Sequence, residues 1–173
     1  MQKQRKSKSK NKKIVIDVNV WLSMFMTNTQ SDFVRGDIGM VFVRSNEMTE
    51  ELLNKMSVTK IDSRLVYNPK LYINFYNSNT VFVKTKKEFF DCRDPDDNYL
   101  FDLAIQTKAD YLVSGDGDVL ATPIPPPTKA ISYTQFKEMF EIQKPLLNDK
   151  KPSQKSQGFL DWLKKDLAKF FKK

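Results

Sequence analysis

The chain has 173 residues, a net charge of +8 and a hydrophobic fraction of 40%. This length suits one domain with a buried core and terminal extensions. Histidine is absent and Cys92 is the only cysteine, which excludes His-based triads, histidine metal ligands, intramolecular disulfides and cysteine-type zinc sites. No apolar run reaches membrane-spanning length, so we expect a cytoplasmic protein without a transmembrane segment.

Composition divides the chain into four segments. Residues 1–13 are basic with almost no apolar side chain, which predicts a disordered tail that either binds phosphates or is merely solvated. Residues 14–144 carry the patterns of one α/β domain, and 145–158 form a polar, proline-punctuated linker. Residues 159–173 predict an amphipathic helix with a lysine-rich face, which could dock on its own domain, a second copy, a partner or an anionic membrane surface.

Within the domain, short apolar runs alternate with helical patterns. This alternation predicts an α/β fold with a mostly parallel central sheet, because parallel strands need helical crossovers. Helices are expected at about 45–56, 67–76, 98–105 and 134–140. The predicted strands are 14–16, 40–43, 81–83, 111–113 and 129–132.

Acidic residues follow the ends of these elements. Asp17 ends the first strand, Asp116 lies just past the fourth, and Asp97 stands at a helix start. The carboxyl ends of parallel strands meet at one edge of a sheet, where ligands of such folds bind. Glu51 borders the apolar stripe of its helix and could join Asp17, Asp97 and Asp116 as a fourth acid. The sequence leaves the choice between Glu50 and Glu51 open. The competing interpretations are that Asp17 only caps a helix and that the glutamates only favour a helix N-terminus.

Clustered carboxylates require neutralisation. Two of them about 4 Å apart repel by roughly 4 kcal/mol at an effective dielectric near 20. Carboxylate and amide oxygens are hard ligands that suit Mg²⁺ or Mn²⁺. The spacing of Asp94, Asp96 and Asn98 does not continue into a calcium loop, and no phosphate-binding glycine motif is present. We therefore expect a divalent cation among these acids, which could activate water without a histidine.

The acids fall in four sequence blocks: Asp17-Val18-Asn19-Val20, Glu50-Glu51-Leu52, Arg93-Asp94-Pro95-Asp96-Asp97 and Val113-Ser114-Gly115-Asp116-Gly117-Asp118. Together these blocks resemble the PIN domain family, and more narrowly bacterial PIN proteins classed as toxins of toxin–antitoxin pairs. The resemblance covers about residues 13–140 and implies a three-layer α/β/α fold. It assigns the family's acidic quartet to Asp17, Glu51, Asp97 and Asp116, with Asp118 as an accessory acid and Asn19 and Ser114 as polar helpers.

The resemblance implies a Mg²⁺- or Mn²⁺-dependent endoribonuclease that hydrolyses RNA phosphodiester bonds and leaves 5′-phosphate and 3′-hydroxyl ends. The candidate partners are RNA, a cognate antitoxin and, in a homodimer, a second copy of the chain. One alternative is a nucleic-acid-binding module without catalysis. Another is an interaction protein that works through its C-terminal helix.

Overall fold

The computed structural model describes residues 11–32, 39–57 and 64–139. Most of the predicted basic tail, the linker 145–158 and the amphipathic helix 159–173 lie outside these ranges. In the described part of the chain, no helix is both long and apolar enough to cross a membrane.

The described residues include five strands and six α-helices. Each of the first three α-helices begins at a polar side chain that accepts a backbone N–H: Asp17, Ser45 and Asn68. The strands are β1 (Lys12–Ile16), β2 (Met40–Arg44), β3 (Thr80–Phe82), β4 (Tyr111–Ser114) and β5 (Lys129–Ser132). The helices are α1 (Val18–Thr27), α2 (Asn46–Met56), α3 (Pro69–Asn79), α4 (Asn98–Thr107), α5 (Gly117–Ala121) and α6 (Tyr133–Met139), with 3₁₀ turns at Gln30–Asp32 and Pro95–Asp97.

The sheet is parallel throughout, with the strand order β3-β2-β1-β4-β5. The expected α/β fold with a parallel central sheet is thereby confirmed, and the arrangement is consistent with the three-layer PIN fold. Because β1 lies in the centre and pairs with both β2 and β4, the carboxyl ends of β1 and β4 are neighbours. Ile16 aligns with Val113, so Asp17 and Ser114 follow at the same level.

The core lies on β1 and the helices packed around it. Ile14, Val15 and Ile16 are each at most 1% exposed, as expected for a strand covered on both faces. On α1, the Trp21 ring packs edge-on against Phe42 and Tyr76, with centroid distances of 5.9 and 5.3 Å. This apolar support fixes the start of α1, and with it Asp17, relative to the sheet.

Several boundaries differ from the sequence prediction. β1 begins at Lys12, so Lys12 and Lys13 belong to the sheet, although the sequence placed them in the tail. They pair with Met40 and Val41, and the ammonium group of Lys12 bonds Asp110 at 2.9 Å. Strand β3 ends one residue earlier than predicted, and α3 runs on to Asn79. Strand pairing and ion pairs between distant residues set these limits, and local patterns do not contain them.

Candidate active site

Asp17 is the buried member of the acidic group. It is 2% exposed, and its backbone N–H bonds the carbonyl of Val113, which holds the end of β1 against β4. One carboxylate oxygen accepts from the Asn19 N–H at 2.8 Å, and the other accepts from the Ser114 hydroxyl at 2.5 Å. Burial raises the pKa of Asp17, whereas these two hydrogen bonds oppose the rise. Asp17 therefore caps α1 and also presents a carboxylate at the sheet edge.

Asp116 and Asp118 lie where β4 passes into α5. The Ser114 hydroxyl also accepts from the Asp116 N–H at 3.0 Å, so one serine joins two acids of the predicted quartet. Asp116 caps the short helix α5 by accepting from the Asp118 N–H at 2.7 Å, and its side chain lies at an exposed position. Asp118 is paired with the guanidinium group of Arg93. This pair ties the loop before Asp97 to the strand end that carries Asp116.

Asp97 shows how strongly negative this edge is. It lies at the end of the 3₁₀ turn Pro95–Asp97, and its side chain makes no capping hydrogen bond to α4. Burial, followed by the charges of Asp17, Asp94, Asp116 and Glu51, raises its pKa to about 6. The whole quartet thus lies within electrostatic range of one carboxylate. Asp94 caps the 3₁₀ turn by accepting from the Asp96 N–H, and its charge also acts on Asp97.

Glu51 enters the site from α2. One of its oxygens accepts a hydrogen bond from the hydroxyl of Tyr99, in the first turn of α4. The other lies 2.6 Å from the ammonium group of Lys55, one helical turn further along α2. Burial and this bond to Glu51 raise the pKa of Tyr99, so the phenol stays protonated and donates. Glu50, in contrast, is exposed, and Glu51 is the residue whose charge acts on Asp17 and Asp97.

Tyr99 and Lys55 are site residues that sequence reasoning missed. The spacing of Glu51 and Lys55 by four residues is a readable signal for an ion pair on a helix face. No local signal links Tyr99 to Glu51, because the two residues are 48 positions apart and meet only where α2 packs against α4.

The donors present suit a hard divalent cation. They are the carboxylates of Asp17, Glu51, Asp97 and Asp116 and the side-chain amide of Asn19. The carboxylates repel one another, and this repulsion contributes to the raised pKa of Asp97. Within residues 11–32, 39–57 and 64–139, however, no three acidic or sulfur-bearing side chains are grouped closely enough to hold one ion. The four acids act electrostatically on one another at this edge, but they do not form a compact ligand group, and their role in binding a metal stays a prediction.

Two other buried or paired acids are structural. Asp102 on α4 is 4% exposed and accepts from the backbone N–H groups of Glu88 and Phe89, each at 2.9 Å. These two hydrogen bonds hold the segment after β3 against α4. Asp110 binds Lys12 and the N–H of Lys13 at the start of β1. Neither carboxylate is among the charges that act on Asp97.

Comparison with known protein families identifies the fold and its general activity. The family model described as the PIN domain matches residues 13–118, which is more than half of the chain and includes all four acids of the quartet. Searches of curated proteins and of solved structures gave no match. PIN domains are generally nucleases, and those nucleases typically use divalent metal ions. The chain, with its central parallel sheet and acidic carboxyl edge, belongs to the PIN domain family.

Proposed function

We propose that this protein is an endoribonuclease that hydrolyses RNA phosphodiester bonds with Mg²⁺ or Mn²⁺, leaving 5′-phosphate and 3′-hydroxyl ends. The observation that carries the proposal is the electrostatic environment of Asp97. Its pKa is raised to about 6 by burial and by the charges of four neighbouring carboxylates. Three of these, Asp17, Asp116 and Glu51, are the groups that a divalent cation would neutralise together with Asp97.

Asp17, Glu51, Asp97 and Asp116 are the residues that would hold the metal. A bound divalent ion supplies an activated water and offsets the negative charge that develops on the phosphate. The chain's own part is to orient the carboxylates. Ser114 and the Asn19 N–H hold both oxygens of Asp17, and the Tyr99 hydroxyl holds one oxygen of Glu51.

Glu51 and Asp118 have further roles in this scheme. Glu51 would bind the metal or orient the attacking water through its second oxygen. Asp118 would assist from the start of α5, where the Arg93 guanidinium holds it. With no histidine in the chain, the proton of the attacking water must pass to a carboxylate or to solvent.

Exposed lysines and an aromatic ring beside this edge support a nucleic-acid strand as the substrate. The segment between β3 and the turn at 95–97 exposes Lys84, Lys86 and Lys87 alongside Glu88 and Asp91, and the ring of Phe90 is 72% exposed. Asp102 holds this segment along α4, whose first residue adjoins Asp97. Lysines bind phosphates and exposed aromatic rings stack on unpaired bases, so a single strand could lie along this segment into the acidic site.

The decisive experiment compares the wild-type protein with Asp17→Asn on labelled single-stranded RNA. We expect cleavage with Mg²⁺ or Mn²⁺, none in EDTA, and a loss of at least about 100-fold in Asp17→Asn, because a neutral amide is a much weaker ligand for the cation. Glu138→Gln, which changes an exposed acid on α6, is the matched control and should cleave normally. Metal-dependent cleavage by a folded Asp17→Asn protein would refute the proposal.

A nucleic-acid-binding module without catalysis is the second candidate. It is favoured by the absence, among the described residues, of three acidic side chains grouped to hold an ion. In that case the wild-type and Asp17→Asn proteins would bind RNA equally, and neither Mg²⁺ nor Mn²⁺ would start cleavage.

We further propose that the enzyme acts as the toxin of a toxin–antitoxin pair. The support is the resemblance of its four sequence blocks to those of bacterial PIN toxins. Expression of the wild type should arrest growth, Asp17→Asn should not, and co-expression of a small DNA-binding protein encoded next to it should relieve the arrest. Equal growth inhibition by both variants would contradict this role.

A further inference from the structure

Lys55 places a positive charge inside the acidic site. Its ammonium group lies 2.6 Å from Glu51 Oε1 and 2.8 Å from Asn19 Oδ1. It therefore links α2 to the first turn of α1, directly beside Asp17. The Lys55 side chain is 36% exposed and that of Glu51 is 27% exposed, so the pair is partly shielded from water.

This charge acts on more than one acid. It lowers the pKa of Asp17, against burial and against the charge of Glu51, which both raise it. At Glu51 itself both oxygens have a donor, because Tyr99 bonds the oxygen that Lys55 does not. A divalent cation that approaches Glu51 Oε1 thus meets the positively charged ammonium group of Lys55 at the same oxygen.

We propose that Lys55 is a positioning residue that competes with the metal ion: its ammonium group occupies Glu51 Oε1 and must leave before a divalent cation can bind there. This inference rests on the proposed metal-dependent function and adds a determinant of metal affinity to it. A lysine suits the role, since its ammonium group is a compact charge on a flexible stem that can move away from Glu51.

Two effects of removing Lys55 follow. A divalent cation would no longer have to break the Lys55–Glu51 pair, nor bind close to a like charge, so metal affinity should rise. Without metal, the acids would lose a neutralising charge, so the protein should unfold at a lower temperature. Opposite changes in affinity and in metal-free stability distinguish competition from a general structural defect.

The test is calorimetric titration of the whole protein with Mn²⁺, together with thermal unfolding in EDTA. Lys55→Met should bind Mn²⁺ roughly three- to fivefold more tightly than the wild type, the upper range expected when a partly exposed ion pair no longer has to be broken. It should also unfold at a lower temperature than the wild type in EDTA. Added Mn²⁺ should raise its unfolding temperature by more than it raises that of the wild type. Lys55→Gln provides a second neutral variant should Lys55→Met fold poorly.

Two controls accompany these variants. Lys55→Arg keeps the charge and should bind Mn²⁺ within about twofold of the wild type. Lys129→Met removes an exposed lysine at the amino end of β5, away from the carboxyl edge, and should also behave as the wild type. If the wild type binds Mn²⁺ and both neutral variants bind it no more tightly than the wild type does, the inference about Lys55 is overturned while the proposed metal chemistry stands. Failure of every variant, including the wild type, to bind Mn²⁺ would overturn the proposed metal chemistry and this inference together.

Discussion

The hydroxyl of Ser114 donates a hydrogen bond to Asp17 across the β1–β4 boundary, with the two oxygens 2.5 Å apart. Both side chains are buried, and the same serine oxygen accepts from the N–H of Asp116. One small residue therefore orients one acid of the site and positions the backbone of another.

Replacing Ser114 with alanine should destabilise the protein by about 1–3 kcal/mol, because a buried carboxylate would lose a donor. The loss should also raise the pKa of Asp17 further, since that hydrogen bond now opposes the rise. Urea unfolding at neutral pH measures the change. In Asp17→Asn, the further change Ser114→Ala should matter less. Additive effects of the two substitutions would contradict the coupling.

The raised pKa of Asp97 predicts how stability depends on pH. The pKa of an ordinary aspartate is 3.8, and folding raises that of Asp97 to about 6. The folded protein therefore holds this proton more tightly, and the stability that protonation provides is lost as the pH rises from about 4 through 6. Asp97→Asn should consequently unfold at a higher temperature than the wild type above pH 6 in EDTA, and the difference should vanish near pH 4.

Asp96→Asn is the matched control for this measurement, because Asp96 is an exposed neighbour in the same 3₁₀ turn. Its melting curve should follow that of the wild type across the pH range. A constant difference between Asp97→Asn and the wild type from pH 4 to pH 8 would show that the pKa of Asp97 is not raised in the folded protein.

Asp102 should matter for stability and little for cleavage. Asp102→Ala would leave the N–H groups of Glu88 and Phe89 without their acceptor, and we expect a loss of about 2–3 kcal/mol. Asp102→Asn keeps one carbonyl oxygen and should lose less. Urea unfolding and RNA cleavage by the folded fraction measure the two effects separately. If Asp102→Ala kept its stability but lost cleavage as Asp17→Asn is expected to, Asp102 would belong to the active site.

Much of the architecture can be read from local patterns. Apolar runs such as Ile14-Val15-Ile16 mark strands covered on both faces, and the alternation with helices requires parallel pairing. Acids that follow two such runs meet at one edge if the two strands are neighbours, which is why the sequence predicts that Asp17 and Asp116 lie close together. Ser45 and Asn68 were equally readable as helix starts, since capping depends on residues only two or three positions apart.

Other features depend on how distant elements pack. The bond from Tyr99 to Glu51 exists because α4 meets α2, and the contact of Lys55 with Asn19 exists because α2 meets α1. The bonds from Glu88 and Phe89 to Asp102 likewise exist only because the fold brings the segment after β3 against α4. The amino-acid sequence by itself determined which residues end the strands, because that depends on neighbours along the chain. Only the tertiary structure decided which distant donors reach each carboxylate, because Ser114 lies 97 residues from Asp17 and Tyr99 lies 48 residues from Glu51.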